Sequence, residues 1–118
     1  MHNSTTGDAL RNEAVDIAVD VTSMMVRFRE KVRPDHSYVL AMECCRIADK
    51  IQKARDTALP WIAKDFFEEG RTCAVRSMIA LDRAGAHTAL PGPECRALNR
   101  RLHDMALALG ALAGETTG

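Results

Sequence analysis

The sequence contains few aromatic residues, and this scarcity narrows the choice of fold. Aromatic side chains make up 4% of the 118 residues, whereas hydrophobic residues make up 47%. The core must therefore consist of leucine, valine, isoleucine, alanine and methionine. That mixture favours packed helices over sheets, which use more β-branched and aromatic side chains. A chain of this length is expected to form one domain with a single core.

The sequence also lacks a long apolar segment and an excess of charge of either sign. No apolar run approaches the roughly 20 residues that a membrane-spanning helix requires. The polar start, MHNSTTGDALRNEA, does not have the pattern of a signal peptide. We therefore expect no membrane association and a cytoplasmic location, where the four cysteines would stay reduced. Because the formal net charge is zero, no overall field would attract a polyanion.

Motifs of catalysis and of metal binding are missing. The adjacent Cys44 and Cys45, together with Cys73 and Cys95, form no C-x-x-C or C-x-x-x-C pair of the kind found in zinc sites. Di-iron bundles use glutamates with a histidine three residues later, and no glutamate here has one. The chain has no glycine-rich phosphate loop and no G-x-S-x-G motif. We expect a non-enzymatic protein with no metal and no cofactor.

Four segments repeat apolar or small residues at alternating steps of three and four, the spacing of an amphipathic helix. These stripes are Ala14, Ala18, Val21, Met25, Phe28 and Val32; Leu40, Cys44, Ile47, Ile51, Ala54 and Ala58; Phe66, Gly70, Cys73, Ser77, Ala80 and Ala84; and Cys95, Leu98, Leu102, Met105, Leu109 and Leu112. They predict helices near residues 12–32, 37–58, 62–85 and 93–113. Since three cysteines (44, 73 and 95) fall on the stripes, we expect buried thiols that serve as small hydrophobic groups.

Prolines and glycines separate the stripes. Pro34 follows the first stripe, with Asp35 or Ser37 as the expected cap of the second helix. Pro60 separates the second and third stripes, and the longer connection AGAHTALPGPE precedes the fourth. Short connections make consecutive helices antiparallel neighbours. The sequence thus predicts an all-α protein, an up-down-up-down antiparallel four-helix bundle over residues 12–113, with flexible tails at 1–11 and 114–118.

Two groups of basic residues lie beside the stripes. They are Arg46, Lys50 and Lys53 on the second helix and Arg96, Arg100 and Arg101 on the fourth. Most of the basic residues of the chain are arginines, whose guanidinium groups can contact phosphate in a bidentate manner. One interpretation is a surface that binds the backbone of RNA or DNA in a salt-dependent way. The other is that both groups are ordinary solvated faces of a bundle.

Several apolar residues fall outside the stripes. They are Ile17, Met24, Val39, Trp61, Phe67 and Met78. A monomer would leave part of this set exposed, and apolar surface patches mark interfaces. The small residues of the third stripe would also allow close approach to a neighbour. We therefore predict a homo-oligomer.

The helix layout, the long third connection and the fourth helix, PGPECRALNRRLHDMALALGAL, resemble the accessory variability determinants of diversity-generating retroelements. Those proteins share a fold with the products of intervening sequences in bacterial 23S ribosomal RNA genes. The resemblance covers Val15 to Ala113 and implies a ring of four-helix protomers, possibly a pentamer, that binds nucleic acid and a reverse transcriptase. One departure is charge, since such proteins are strongly basic and this chain is neutral. The alternative is a structural or regulatory bundle that binds only protein, for example as a small helical subunit of a larger complex.

Overall fold

A computed structural model describes residues 2–86 and 90–115 and folds them into four α-helices. The helices are α1 (His2–Arg27), α2 (Pro34–Asp56), α3 (Pro60–Ala86) and α4 (Gly92–Glu115). Each helix packs against the next, and α1 also contacts α4; over the described residues, the diagonal pairs make no close approach. The predicted all-α, antiparallel four-helix bundle is confirmed. Within the same ranges, no helix is both long enough and apolar enough to cross a bilayer.

Prolines mark the starts of α2 and α3. Pro34 and Pro60 are the first residues of these helices, a position where the missing N–H costs nothing and the fixed φ suits the helix. Proline also keeps the preceding residue extended, as at Arg33, with φ −61° and ψ 138°. The cap predicted at Asp35 or Ser37 is wrong, because α2 begins before both residues and no side chain caps it.

The core follows the predicted stripes. Leu40, Ile47 and Ile51 of α2 have no solvent exposure, and neither do Leu102 and Leu109 of α4. Residues from all four stripes belong to one buried cluster. The direction in which each helix faces the core is therefore confirmed.

The buried side of α1 is wider than its stripe. Ile17 and Met24 fall outside the stripe, yet both are fully buried, because α1 contacts both α2 and α4. Two more of the off-stripe apolar residues are half-buried. Val39 and Trp61 are exposed, at 43% and 64%. Fewer of the off-stripe apolar residues are therefore exposed than the stripes alone predict, and the exposed apolar surface on which the predicted oligomer depends is smaller.

Helix α1 begins ten residues before the start predicted for it, so residues 2–11 of the expected tail lie within the helix. Contacts with α2 account for this extension. Asp8 forms an ion pair with Arg55, and Arg11 Nη1 donates a hydrogen bond to Gln52 Oε1 at 2.9 Å. These partners are far away in the sequence, and the local pattern gives no sign of them.

At its other end, α1 stops at Arg27, five residues before the predicted end. The following turn keeps Val32 buried at 3% exposure, since its N–H donates to the carbonyl of Phe28 at 3.2 Å. The remaining helix ends lie within three residues of their predicted positions. Helix α4 continues through Glu115, and the rest of the predicted C-terminal tail, 116–118, lies outside the described residues.

The small residues of α3 allow close packing within the bundle. A Cβ atom at Gly70 would lie 3.3 Å from Cδ1 of Leu109 and 3.4 Å from Cβ of Lys50, so both α2 and α4 approach the helix closely there. Ser77 is fully buried and donates from Oγ to the carbonyl of Cys73 at 2.8 Å. The small residues of the third stripe thus allow close packing of neighbouring helices in the same chain, and not only approach to another molecule.

Candidate nucleic-acid interface

The α2 group, defined as Arg46, Lys50 and Lys53, lies along one edge of its helix, as the spacing of four and three predicts. Each of its members is near a carboxylate. Arg46 Nη1 lies 3.4 Å from Glu43 Oε1, and Lys53 Nζ lies 3.2 Å from Asp49 Oδ2. Pairs of this kind add little stability at a surface, but they offset the positive charge of the stripe.

Lys50 is the least exposed member of the α2 group, and it faces α3. Its side chain is 22% exposed, and Nζ lies 3.8 Å from Glu69 Oε2. The same ammonium lies 5.8 Å from the centroid of the Phe66 ring, within the range of a cation–π contact. Lys50 therefore links α2 to α3 and is poorly placed to meet a phosphate.

Arg46 of the α2 group has a structural role, because it lies beside the buried carboxylate of Glu43. Glu43 is the one charged residue that is buried among the described side chains, with 7% side-chain exposure. Arg46 lies on one side of the carboxylate, and Arg76 of α3 approaches Oε2 to 3.8 Å. Because a buried carboxylate is costly unless it is paired, these two guanidinium groups compensate a charge inside the protein.

Arg101 of α4 is also committed to an internal contact. Its Nε lies 2.8 Å from Glu13 Oε1, and its Nη1 lies 2.6 Å from Asp20 Oδ2, so it joins α4 to α1. Partial burial would lower the pKa of this guanidinium, but the hydrogen bonds that it donates to Asp20 and Glu13 outweigh this effect and raise the pKa. Of the two neighbouring arginines, Arg101 is the one that closes the bundle.

Arg96 and Arg100 are in a different setting. Both are exposed and lie one helical turn apart on α4. They line an open groove between α3 and α4, together with Asn99, His103 and Asp104. Among the described residues neither arginine has an ion-pair partner, in contrast to the other four predicted positions. We call this surface the α4 groove.

Three further cations without a described ion-pair partner lie at the end of the bundle where α4 begins. Arg29 and Lys31 are in the turn after α1, and Arg83 is near the end of α3. The antiparallel order brings these segments together with the start of α4, as the 2.7 Å ion pair between Arg27 and Glu94 shows. Arg83 belongs to no basic stripe, so spacing along its helix does not identify it, whereas the order of the helices does.

The six predicted positions do not form one surface. The α2 group and the α4 positions lie on diagonal helices, which make no close approach within the described ranges. The structure brings Arg96 and Arg100 together and separates them from the α2 group. Two guanidinium groups one turn apart can contact one phosphate or two adjacent phosphates, since Cβ atoms at this spacing are roughly 5–6 Å apart.

The four cysteines differ in burial. Burial raises the pKa of Cys44 to about 11, and burial also raises the pKa of Cys73. Both thiols are buried, as predicted, whereas Cys95 is half-buried and Cys45 is exposed. Over the part of the chain that the structure describes, no group of three or more histidine, cysteine or acidic side chains is placed to hold a metal ion.

The α4 groove is therefore the best candidate among the predicted positions for contact with an anionic backbone. Its arginines are exposed and have no ion-pair partner among the described residues, whereas each cation of the α2 group lies within 4 Å of a carboxylate. A comparison of the chain with protein-family models, with curated proteins and with solved structures gives no match.

Proposed function

We propose that this protein is a non-enzymatic accessory factor that binds the phosphate backbone of RNA or DNA through the α4 groove. The observation that carries the proposal is the pair Arg96 and Arg100, exposed one turn apart and without a carboxylate partner in the described residues. Guanidinium groups form strong bidentate bonds with phosphate oxygens. His103 and Asp104 line the same groove, with His103 Nδ1 3.8 Å from Asp104 Oδ1.

Within this proposal, the protein is an accessory variability determinant of a diversity-generating retroelement, acts in the cytoplasm and has a reverse transcriptase as its protein partner. A homo-oligomer, possibly a pentamer, would repeat the α4 groove. Repetition matters because two arginines bind weakly, and several linked sites gain affinity through high effective concentration. The support for this identity is the resemblance in helix layout, together with the four-helix bundle.

A second candidate function, a bundle that binds only protein, is favoured by a different surface. Val15 and Val19 of α1 are 44% and 59% exposed. With Ala18, Cys45 and Ala48 they line an apolar groove between α1 and α2. Exposed apolar surface of this kind is typical of protein interfaces.

The proposal is tested by a gel shift with structured RNA at low salt. Arg96→Gln with Arg100→Gln removes two positive charges from the α4 groove. The matched control, Lys50→Gln with Lys53→Gln, removes two charges that carboxylates already compensate. We expect the first pair to lower affinity about ten-fold or more, because each charge-assisted hydrogen bond contributes roughly 1.5–3 kcal/mol. The control should change affinity far less.

Salt dependence and mass complete the experiment. The log–log slope of affinity against salt should approach −0.9 for each duplex phosphate contacted, and be nearer −0.7 on single strands. Equal losses for both variant pairs would mean that only net charge matters. If the unaltered protein gives no shift at micromolar concentration, the protein-binding alternative stands. Light scattering on the same sample should give a mass above that of the 13.0 kDa chain; the monomer mass would contradict the oligomer.

A further inference from the structure

A second cleft lies between the first half of α2 and the last half of α3, on the opposite side of α3 from the α4 groove. Its volume is about 300 Å³. Val39, Ile79 and Ala80 form its apolar lining, and the first two are 43% and 47% exposed. This apolar surface is open to solvent and is available to a ligand.

Positive charge exceeds negative charge among the charged residues that line the cleft, Glu43, Arg76 and Arg83. Glu43 lies in its lining, but Arg46 and Arg76 already compensate this carboxylate, at 3.4 Å and 3.8 Å. Arg83 also lines the cleft, and in the described part of the chain it has no ion-pair partner. His36 lies opposite, at the start of α2. A cationic ligand would find no free negative charge here, whereas an anion would meet an uncompensated guanidinium.

We infer that this α2–α3 cleft binds a small organic carboxylate with an apolar aromatic or aliphatic body. The carboxylate would accept hydrogen bonds from Arg83 and Arg76, a geometry that suits the planar guanidinium fork. The apolar body would cover Val39 and Ile79. Ligand pockets begin at about 300 Å³ and combine apolar walls with a few placed polar groups, so the cleft suits a ligand of small size.

Glu43 acts in this site as a positioning residue. Its carboxylate, 3.8 Å from Arg76 Nη1, restrains a side chain that is itself 60% exposed. An exposed arginine otherwise loses considerable rotamer freedom when a ligand orders it. A buried carboxylate beside the ligand site therefore reduces the entropy lost on binding, which is the effect of preorganisation.

The site is independent of the proposed nucleic-acid surface, because it shares no residue with the α4 groove. Binding is measured by titrating the full chain with 1-naphthoate and following amide resonances by NMR. 1-Naphthylmethylammonium and 1-naphthalenemethanol serve as cationic and neutral probes with the same ring. We expect the carboxylate to shift the amides of Val39 and Ile79, and the other two probes to bind about ten-fold more weakly, the effect of one charge-assisted hydrogen bond.

Two matched variants locate the contact. Arg83→Gln should weaken binding of 1-naphthoate about ten-fold. Arg71→Gln should leave it unchanged, since Arg71 is also an exposed α3 arginine without a described ion pair but lies outside the cleft lining. Three results would overturn the inference: equal binding of the neutral probe, equal effects of the two variants, or no shift at the solubility limit of 1-naphthoate. Arg96→Gln with Arg100→Gln should leave binding of 1-naphthoate unchanged, since neither residue lines the cleft, and this result separates the site from the α4 groove.

Discussion

The basic residues of α2 and those of α4 look alike in the sequence but have different roles in the structure. Arg46, Lys50 and Lys53 each lie within 4 Å of a carboxylate, and Lys50 faces α3. Arg96 and Arg100 face an open groove with no such partner in the described residues. Spacing along one helix identifies the face a side chain occupies, but the partner that cancels its charge can come from another helix.

The buried faces of α2 and α4 both contain fully buried aliphatic side chains. Truncating such a side chain should cause the largest loss of stability, and the loss should be similar on the two helices. Ile51→Ala and Leu102→Ala each remove a side chain with no solvent exposure. We expect each to lower the free energy of unfolding by about 2–5 kcal/mol, through lost burial and the cavity left behind. Urea unfolding followed by circular dichroism measures the loss.

The control for this comparison is Leu107→Ala, since Leu107 lies on the same helix as Leu102 but is 61% exposed. Its cost should stay below about 0.5 kcal/mol, as for most surface substitutions. A similar cost for Leu107 and Leu102 would mean that α4 presents a different face to the core.

Sequence periodicity predicted these core positions because burial on a helix follows its 3.6-residue repeat. It could not predict the burial of Glu43, which depends on Arg76 of α3 as well as on Arg46 of α2. Nor does periodicity predict the start of α1, where Asp8 pairs with Arg55 of α2. Local patterns therefore predict the fold and the core. They do not predict the contacts between helices that occupy two of the six cations, Lys50 with Glu69 and Arg101 with Glu13.

Removing the arginines that compensate Glu43 should reduce stability by an intermediate amount, whereas removing the arginines of α4 that lack a described ion-pair partner should not. Replacing both Arg46 and Arg76 with Ala leaves the buried Glu43 carboxylate without a partner. We expect a loss of about 2 kcal/mol, below the 3–5 kcal/mol typical of buried pairs, because both arginines are about half exposed. Thermal and urea unfolding measure the change.

The matched control replaces both Arg96 and Arg100 with Ala, and its cost should be below about 0.5 kcal/mol. Adding Glu43→Gln to the Arg46 and Arg76 variant should recover most of the lost stability, because the uncompensated charge is then removed. No recovery would show that the arginine side chains contribute through packing, as long side chains can.

The smallest expected loss of stability concerns Arg101, in comparison with Arg100. The two residues are adjacent in the sequence but point in directions about 100° apart on the helix. Arg101 contacts Glu13 and Asp20 at 2.8 Å and 2.6 Å and is 31% exposed. Arg101→Gln should therefore cost about 1 kcal/mol, near the upper end for partly exposed pairs. The cost should shrink in concentrated salt, which screens exposed charges. Arg100→Gln should leave stability unchanged at every salt concentration and lower RNA affinity instead. If Arg101→Gln weakened RNA binding as strongly as Arg100→Gln while stability stayed the same, the contact with α1 would open in solution and both arginines would belong to the binding surface.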